Sequence, residues 1–196
     1  MKICTLCPRM CAVDRKSGER GICGQTTEIN VARAALHFWE EPAFPGRWVP
    51  VRSFFPAVHC TVCSARMKYC NGTAGKVIST ERLGEIFLEL QEKGANNINL
   101  VTPGQFVPQI IKAVELARNQ NLKIPIVYNT SSYENVDTIR SLEGIVDIYL
   151  PDFKYFDTAL SAKYSHAPDY PAVAKAVIAE MVRQTGAAVL KTGRIP

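Results

Sequence analysis

The sequence predicts an α/β chain built on a parallel sheet, with a small cysteine-rich segment at its amino end. Three observations predict it. Beyond Thr80, short buried apolar runs alternate with stretches of helical spacing. Residues 1–30 hold Cys4, Cys7, Cys11 and Cys23 with little apolar periodicity. The chain of 196 residues is 47% hydrophobic, enough for one core and little more.

Residues 1–30, rich in Cys, Arg and Gly, read as a loop-dominated knob that needs an ion because it cannot build a core alone. Thr80 is placed to cap a helix over 81–93, where Leu83, Ile86, Phe87 and Leu90 recur on one face and Gly94 ends the run. A strand is expected over 97–101, a helix over 106–119, a strand over 124–128, a helix over 134–142 and a strand over 145–150. A loop holding 164–170 follows. Pro171 then opens a helix through Arg183, with Val173, Val177, Ile178 and Met181 on one face.

Such alternation implies right-handed crossovers in an open doubly wound sheet or in part of a barrel. Both put ligands beyond the carboxyl ends of the strands, here Thr102-Pro103-Gly104, Asn129-Thr130-Ser131 and Pro151-Asp152-Phe153-Lys154. Thr102, Asn129, Asp152 and Lys154 are therefore candidate cofactor-binding residues. Turn chemistry accounts equally well for Thr102 and Ser131. Asp152 and Lys154, at i and i+2 after a buried strand, face either one cavity or each other as a surface ion pair.

No run reaches the roughly 18 apolar residues of a membrane span, and no apolar signal core follows Met1-Lys2-Ile3-Cys4, so a cytoplasmic protein without a membrane partner is expected. The formal net charge of +5 does not argue for nucleic acid. Residues 43–70 carry Arg47, Arg52, Arg66 and Lys68 with no acid, and without these four the charge falls to +1. Seven cysteines with no export signal point to metal or redox chemistry rather than disulfides.

Longer segments carry a family resemblance. Cys4-Thr5-Leu6-Cys7-Pro8-Arg9-Met10-Cys11, Gly21-Ile22-Cys23-Gly24 and 32–42, then 94–103, 124–130 and 146–155, resemble a radical S-adenosylmethionine (SAM) family related to pyruvate formate-lyase activating enzyme. The resemblance covers 1–42 and about 74–190. It implies a partial (β/α) barrel of radical SAM type, here incomplete, over 31–196. It also implies a CxxxCxxC loop after the first barrel strand, whose thiolates hold three irons of a [4Fe–4S] cluster while SAM chelates the fourth. Reductive cleavage of SAM then yields an adenosyl radical that abstracts hydrogen, in activating enzymes from a glycine of a partner protein. A glycyl-radical or other protein substrate, or a small molecule, and an electron donor are the partners implied.

The chain departs from that family where the triad belongs. Between Pro42 and Gly75 it has only Cys60-Thr61-Val62-Cys63 and Cys70, the wrong spacing, with no strand expected ahead of them. Reading residues 43–70 in the shifted frame, with the last base of each codon joined to the first two of the next, changes this. The Trp48–Val49 junction is forced to Gly, His59–Cys60 to Leu and Met67–Lys68 to Glu, all in register with the family. The remaining degeneracy permits a strand G-T-I-F-F-S-G followed by C-T-L-H-C-V-F-C, whose cysteines arise at the Ala57–Val58, Thr61–Val62 and Ser64–Ala65 junctions. Residues 43–70 are accordingly expected to be out of frame, Cys60, Cys63 and Cys70 to be coincidental, and the enzyme to be inactive in its translated form. The alternative is a non-enzymatic metal-binding fragment. The resemblance further implies strands beyond Gly186 that residues 187–196 do not supply, so three intact strands, exposed sheet edges and poor solubility are expected.

The amino-terminal thiols Cys4, Cys7, Cys11 and Cys23 form a separate candidate metal site. Their spacers run in the reverse order to the SAM triad and they precede the first barrel strand. Four soft ligands suit tetrahedral zinc or a second Fe–S cluster, and Pro8 after Cys7 resembles the Cys-Pro of ferredoxin runs. Four reduced structural thiols without metal are the third reading.

Overall fold

The computed structural model describes residues 3–36 and 75–186, together with the backbone of 51–54. Most of the window 43–70, including Cys60, Cys63 and Cys70, lies outside the described residues, as do 187–196.

The amino-terminal knob contains one 3-10 turn, Arg15–Ser17, capped by Asp14, whose carboxylate accepts from the N–H groups of Lys16 and Ser17. Two strands not expected from the sequence follow, β1 (Ile29–Val31) and β2 (Arg33–Leu36). At three and four residues they are too short for a periodicity to register. β3 (Val51–Phe54) corrects the expectation that no strand precedes Cys60. Its backbone bonds in parallel to β5 (Ile98–Val101), with Val51 opposite Ile98 and Phe54 opposite Val101. That pairing occupies an edge whose N–H and C=O groups would otherwise lack partners. β4 (Lys76–Ile78) pairs antiparallel with β1.

The main sheet runs β2-β3-β5-β6-β7, where β6 is Ile126–Thr130 and β7 is Ile148–Pro151. β3, β5, β6 and β7 are mutually parallel and β2 is antiparallel at one edge. The sheet is therefore larger than the three intact strands expected. The molecule is a mixed α/β chain, and the α/β class follows directly from this architecture.

Helix α1 (Thr80–Glu92) begins one residue earlier than expected, because the Ser79 hydroxyl, not Thr80, accepts from the Arg82 N–H. It packs on α2 (Val107–Asn119). Gly84 permits the approach, since a Cβ there would lie 3.1 Å from the Ala113 carbonyl oxygen. A 3-10 turn, Gly104–Phe106, leads into α2. α3 (Val136–Arg140) is shorter than the 134–142 expected, and α5 (Tyr170–Thr185) longer than 171–183. α4 (Thr158–Ser165) has no counterpart among the expected elements, because its Leu160 and Tyr164 are exposed and its buried residues are Ser161 and Ser165, an inverted pattern.

Leu83, Phe87 and Leu90 of α1, Ile110 and Val114 of α2, Ile139 of α3 and Val177 and Met181 of α5 form one core with Ile98, Leu100, Ile126, Tyr128 and Tyr149 of the sheet. Strand alternation sends Asn99, Val101, Val127 and Asn129 to the opposite face. Asn99, Val101 and Val127 are nevertheless buried, and Asn99 Oδ1 has no hydrogen-bond partner among the described residues. Among the described residues no helix is long and apolar enough to cross a membrane.

Candidate metal centre and the adjoining strand rim

The chain from Cys4 to Val13 doubles back on itself. The Cys4 N–H donates to Val13 O at 2.9 Å, Ala12 N–H to Cys4 O at 3.2 Å and Met10 N–H to Cys7 O at 3.1 Å. Met10 and Ala12 hold positive φ values of 44° and 54°, the strain of a tight reversal. Gly21 lies so close beneath Cys11 that a Cβ there would stand 2.8 Å from its Sγ. Only glycine leaves room for that sulfur.

Three of the four sulfurs accept backbone N–H groups: Cys7 from Arg9, Cys23 from Gln25, and Cys11 from Ile22 at 3.4 Å. Such bonds favour a thiolate over a thiol. Burial acts the other way. It pushes the Cys7 thiol up to about 12, against the Arg9 N–H and with the Glu134 carboxylate, Cys11 and Cys23 adding to the rise. Cys23 is also raised, by burial first, with Cys4 and Cys11 contributing and the Arg15 charge opposing. The four thiols thus lie within each other's electrostatic reach. Among the described residues, however, no three His, Cys, Asp or Glu side chains converge tightly enough to hold an ion. Four thiols are the donor type that zinc or an Fe–S cluster takes, but as placed these sulfurs form a site for neither.

The knob is clamped to the α/β body at several points. Asn135 Nδ2 donates to Thr5 O at 2.6 Å and Thr138 Oγ1 to Leu6 O at 2.8 Å. Arg9 donates to the carbonyls of Ser165 (2.8 Å) and His166 and stacks 5.1 Å over the Tyr133 ring. Gln109 Nε2 donates to Thr27 O at 2.7 Å. The cysteines therefore sit against the β6–α3 loop, beside the carboxyl ends of the strands.

At that rim the sequence candidates Thr102, Asn129 and Asp152 become neighbours through the backbone. Thr102 N–H donates to Asn129 O, and Asp152 N–H to Thr130 O, both at 2.9 Å. Thr102 has φ +51° and Asn129 is half-buried. Asp152 and Lys154 take the second of the two arrangements open to them in the sequence, a solvent-exposed ion pair with Lys154 Nζ 2.6 Å from Asp152 Oδ2.

Two rim residues escape the sequence reading. The buried Tyr170 hydroxyl takes the Lys154 N–H at 2.8 Å and lies 2.8 Å from Ser131 O and 3.1 Å from Asp152 O, tying two strand ends together. Glu134 is buried beneath the rim, its Oε1 accepting from Thr130 Oγ1 at 2.9 Å and Tyr128 OH at 3.3 Å. Burial pushes its carboxyl up to about 7, against those two hydroxyls. An acid read as a helix start gives no sequence signal of this.

No protein-family profile matches the chain, and no solved structure matches it. A curated relative, the uncharacterized protein MJ0674 of Methanocaldococcus jannaschii, is 26% identical over 177 residues, covering 86% of this chain and 50% of the relative. The chain spans about half the length of the relative it matches.

Proposed function

We propose that the chain is the altered product of a gene for a cytoplasmic radical SAM iron–sulfur enzyme of the activating-enzyme type. In its translated form it retains an amino-terminal thiolate metal site without the catalysis. The observation that carries this reading is the set of forced codon junctions, which return Gly, Leu and Glu in register and allow CxxxCxxC where the family has it. The fold supports it in two ways. β3 lies parallel to β5 just ahead of the re-read triad. The sheet face turned from the helices carries Asn99 and Asn129, a polar lining of the kind a barrel interior offers a ligand.

A [4Fe–4S] cluster with one open iron would supply the electron for SAM cleavage. The translated residues do not fit that cluster, because Cys60, Cys63 and Cys70 lack the triad spacing. In the repaired enzyme Thr102, Asn129, Asp152 and Lys154 would hold SAM or substrate at the rim, with a protein or small molecule as hydrogen donor and a separate electron donor. The second reading, a metal-binding protein without catalysis, is favoured by the three N–H···S bonds of the knob.

The test compares the translated chain with one carrying the re-read residues, each followed by whatever the gene encodes downstream. Both are reconstituted anaerobically with iron and sulfide, reduced, and assayed for 5′-deoxyadenosine from SAM. Product from the repaired chain alone is expected. A repaired, folded chain that takes up a cluster and cleaves no SAM would remove the enzymatic reading and leave the metal-binding one.

A further inference from the structure

A cavity of about 470 Å³ lies on the seam between the amino-terminal knob and the first turns of α1 and α2. That volume is within the range of about 300–1,000 Å³ in which small-molecule sites fall. Two hydrogen bonds hold the seam together, Gln109 Nε2 to Thr27 O at 2.7 Å and Arg15 Nη1 to Gln105 O at 2.8 Å, so the two walls are fixed against each other. Of the four knob cysteines Cys4 alone lines this space, and Thr102, Asn129, Asp152 and Lys154 do not.

Its charges are of one sign. Arg15, Lys16 and Lys112 line the cavity, and no acid among the described residues does. None of the three cations forms an ion pair among the described residues. Lys16 and Lys112 are exposed, but Arg15 is only 5% exposed. One N–H of each of its guanidinium nitrogens meets a neutral carbonyl, on Gln25, Gln105 and Thr26. Carbonyls satisfy hydrogen bonds without balancing the charge, and a buried unbalanced charge is costly. Nearby acids are committed elsewhere. Asp14 caps the 3-10 turn and Glu19 accepts from the Asp14 N–H. Glu81, within reach of Lys112, is hydrogen-bonded to its own N–H and to Ser79. The rest of the wall is apolar at Ile3, Leu6 and Pro108, with threonine hydroxyls between.

We propose that this cavity binds a small organic phosphomonoester, its dianionic head among Arg15, Lys16 and Lys112 and its apolar body against Ile3, Leu6 and Pro108. Three like charges around one space repel each other and draw in an anion. A dianion relieves that repulsion, whereas a single carboxylate leaves most of it in place. Guanidinium and ammonium groups meet phosphate oxygens in charge-assisted hydrogen bonds, the strong kind. The site uses no residue of 43–70 and no metal, so it stands apart from the radical reading and from the fate of the cysteines.

The test titrates the full chain with phenyl phosphate by calorimetry, with benzoate and inorganic phosphate as comparisons and circular dichroism to follow the fold. Phenyl phosphate is expected to bind one to one, more weakly as salt rises. Benzoate, which lacks the second charge, and inorganic phosphate, which lacks the apolar body, should each bind at least about 10-fold more weakly. Arg15 ties knob to body, so the variants are placed on the exposed lysines. Lys16→Gln and Lys112→Gln should each weaken phenyl phosphate by about 3- to 5-fold, and together by about 10-fold or more. Lys123→Gln, exposed and outside the cavity, should match wild type. Wild-type protein that binds no phenyl phosphate, or a double lysine variant that binds it as well as wild type, overturns the site. So does an equal loss in Lys123→Gln, which would make the effect one of net charge. Benzoate or inorganic phosphate binding as tightly as phenyl phosphate overturns the phosphomonoester assignment.

Discussion

Truncating Phe87 to Ala is expected to remove about 3–5 kcal/mol of stability. Phe87 is fully buried in the middle of α1, in the core that joins Leu83 and Leu90 to the strands and to α2. The neighbouring wall cannot collapse into the vacated space, because Gly84 already brings α1 against the Ala113 carbonyl. Against a total of about 5–15 kcal/mol for a domain, that loss is large. Urea unfolding measures it. Glu85→Ala serves as the reference, since its bond to Arg82 is exposed on both sides and should be worth less than about 1 kcal/mol. Equal midpoints for the two variants would mean that α1 does not pack on the sheet.

The second large effect is a pH dependence set by Glu134. Its carboxyl is pushed up to about 7 in the folded chain from an ordinary 4.5, chiefly by burial. Between those values the folded state keeps a proton that the unfolded state has released, so stability falls as pH rises through this window and levels off above about 7. The full loss is about 3 kcal/mol. Glu134→Gln keeps an acceptor for Thr130 and Tyr128 but cannot ionise. It should flatten the profile and be the more stable protein at pH 8. Parallel profiles for the two proteins from pH 4 to 8 would show that the carboxyl is not held in a dry site.

The long amphipathic helices are legible in the sequence because Leu83, Phe87 and Leu90, or Ile110, Val114 and Ala117, each repeat a spacing that only a helix satisfies. Strand boundaries shift by one or two residues at Pro125, which cannot donate to a ladder but whose carbonyl takes the Ile98 N–H. Short elements are illegible for a different reason. β1, β2 and β3 derive their stability from partners distant in sequence, as Val51 does from Ile98. α4 buries serines and exposes Leu160, so its pattern argues against itself.

The candidate site divides in the same way. Cysteine spacing announces the knob, and strand ends announce Thr102, Asn129 and Asp152. Residues that act through burial do not announce themselves. Arg15, Glu134 and Tyr170 carry no spacing signal in the sequence, and it is the fold that buries them. Asp152 and Lys154, the pair that looks most functional in sequence, meet each other in solvent.

The decisive measurement for an out-of-frame window is the coding DNA over codons 40–75. The authentic gene is expected to differ by one inserted or deleted base near codon 43 and a compensating one near codon 71, and to read CxxxCxxC between them. A verified gene that encodes residues 43–70 in one unbroken frame, unchanged in related strains, would contradict this expectation.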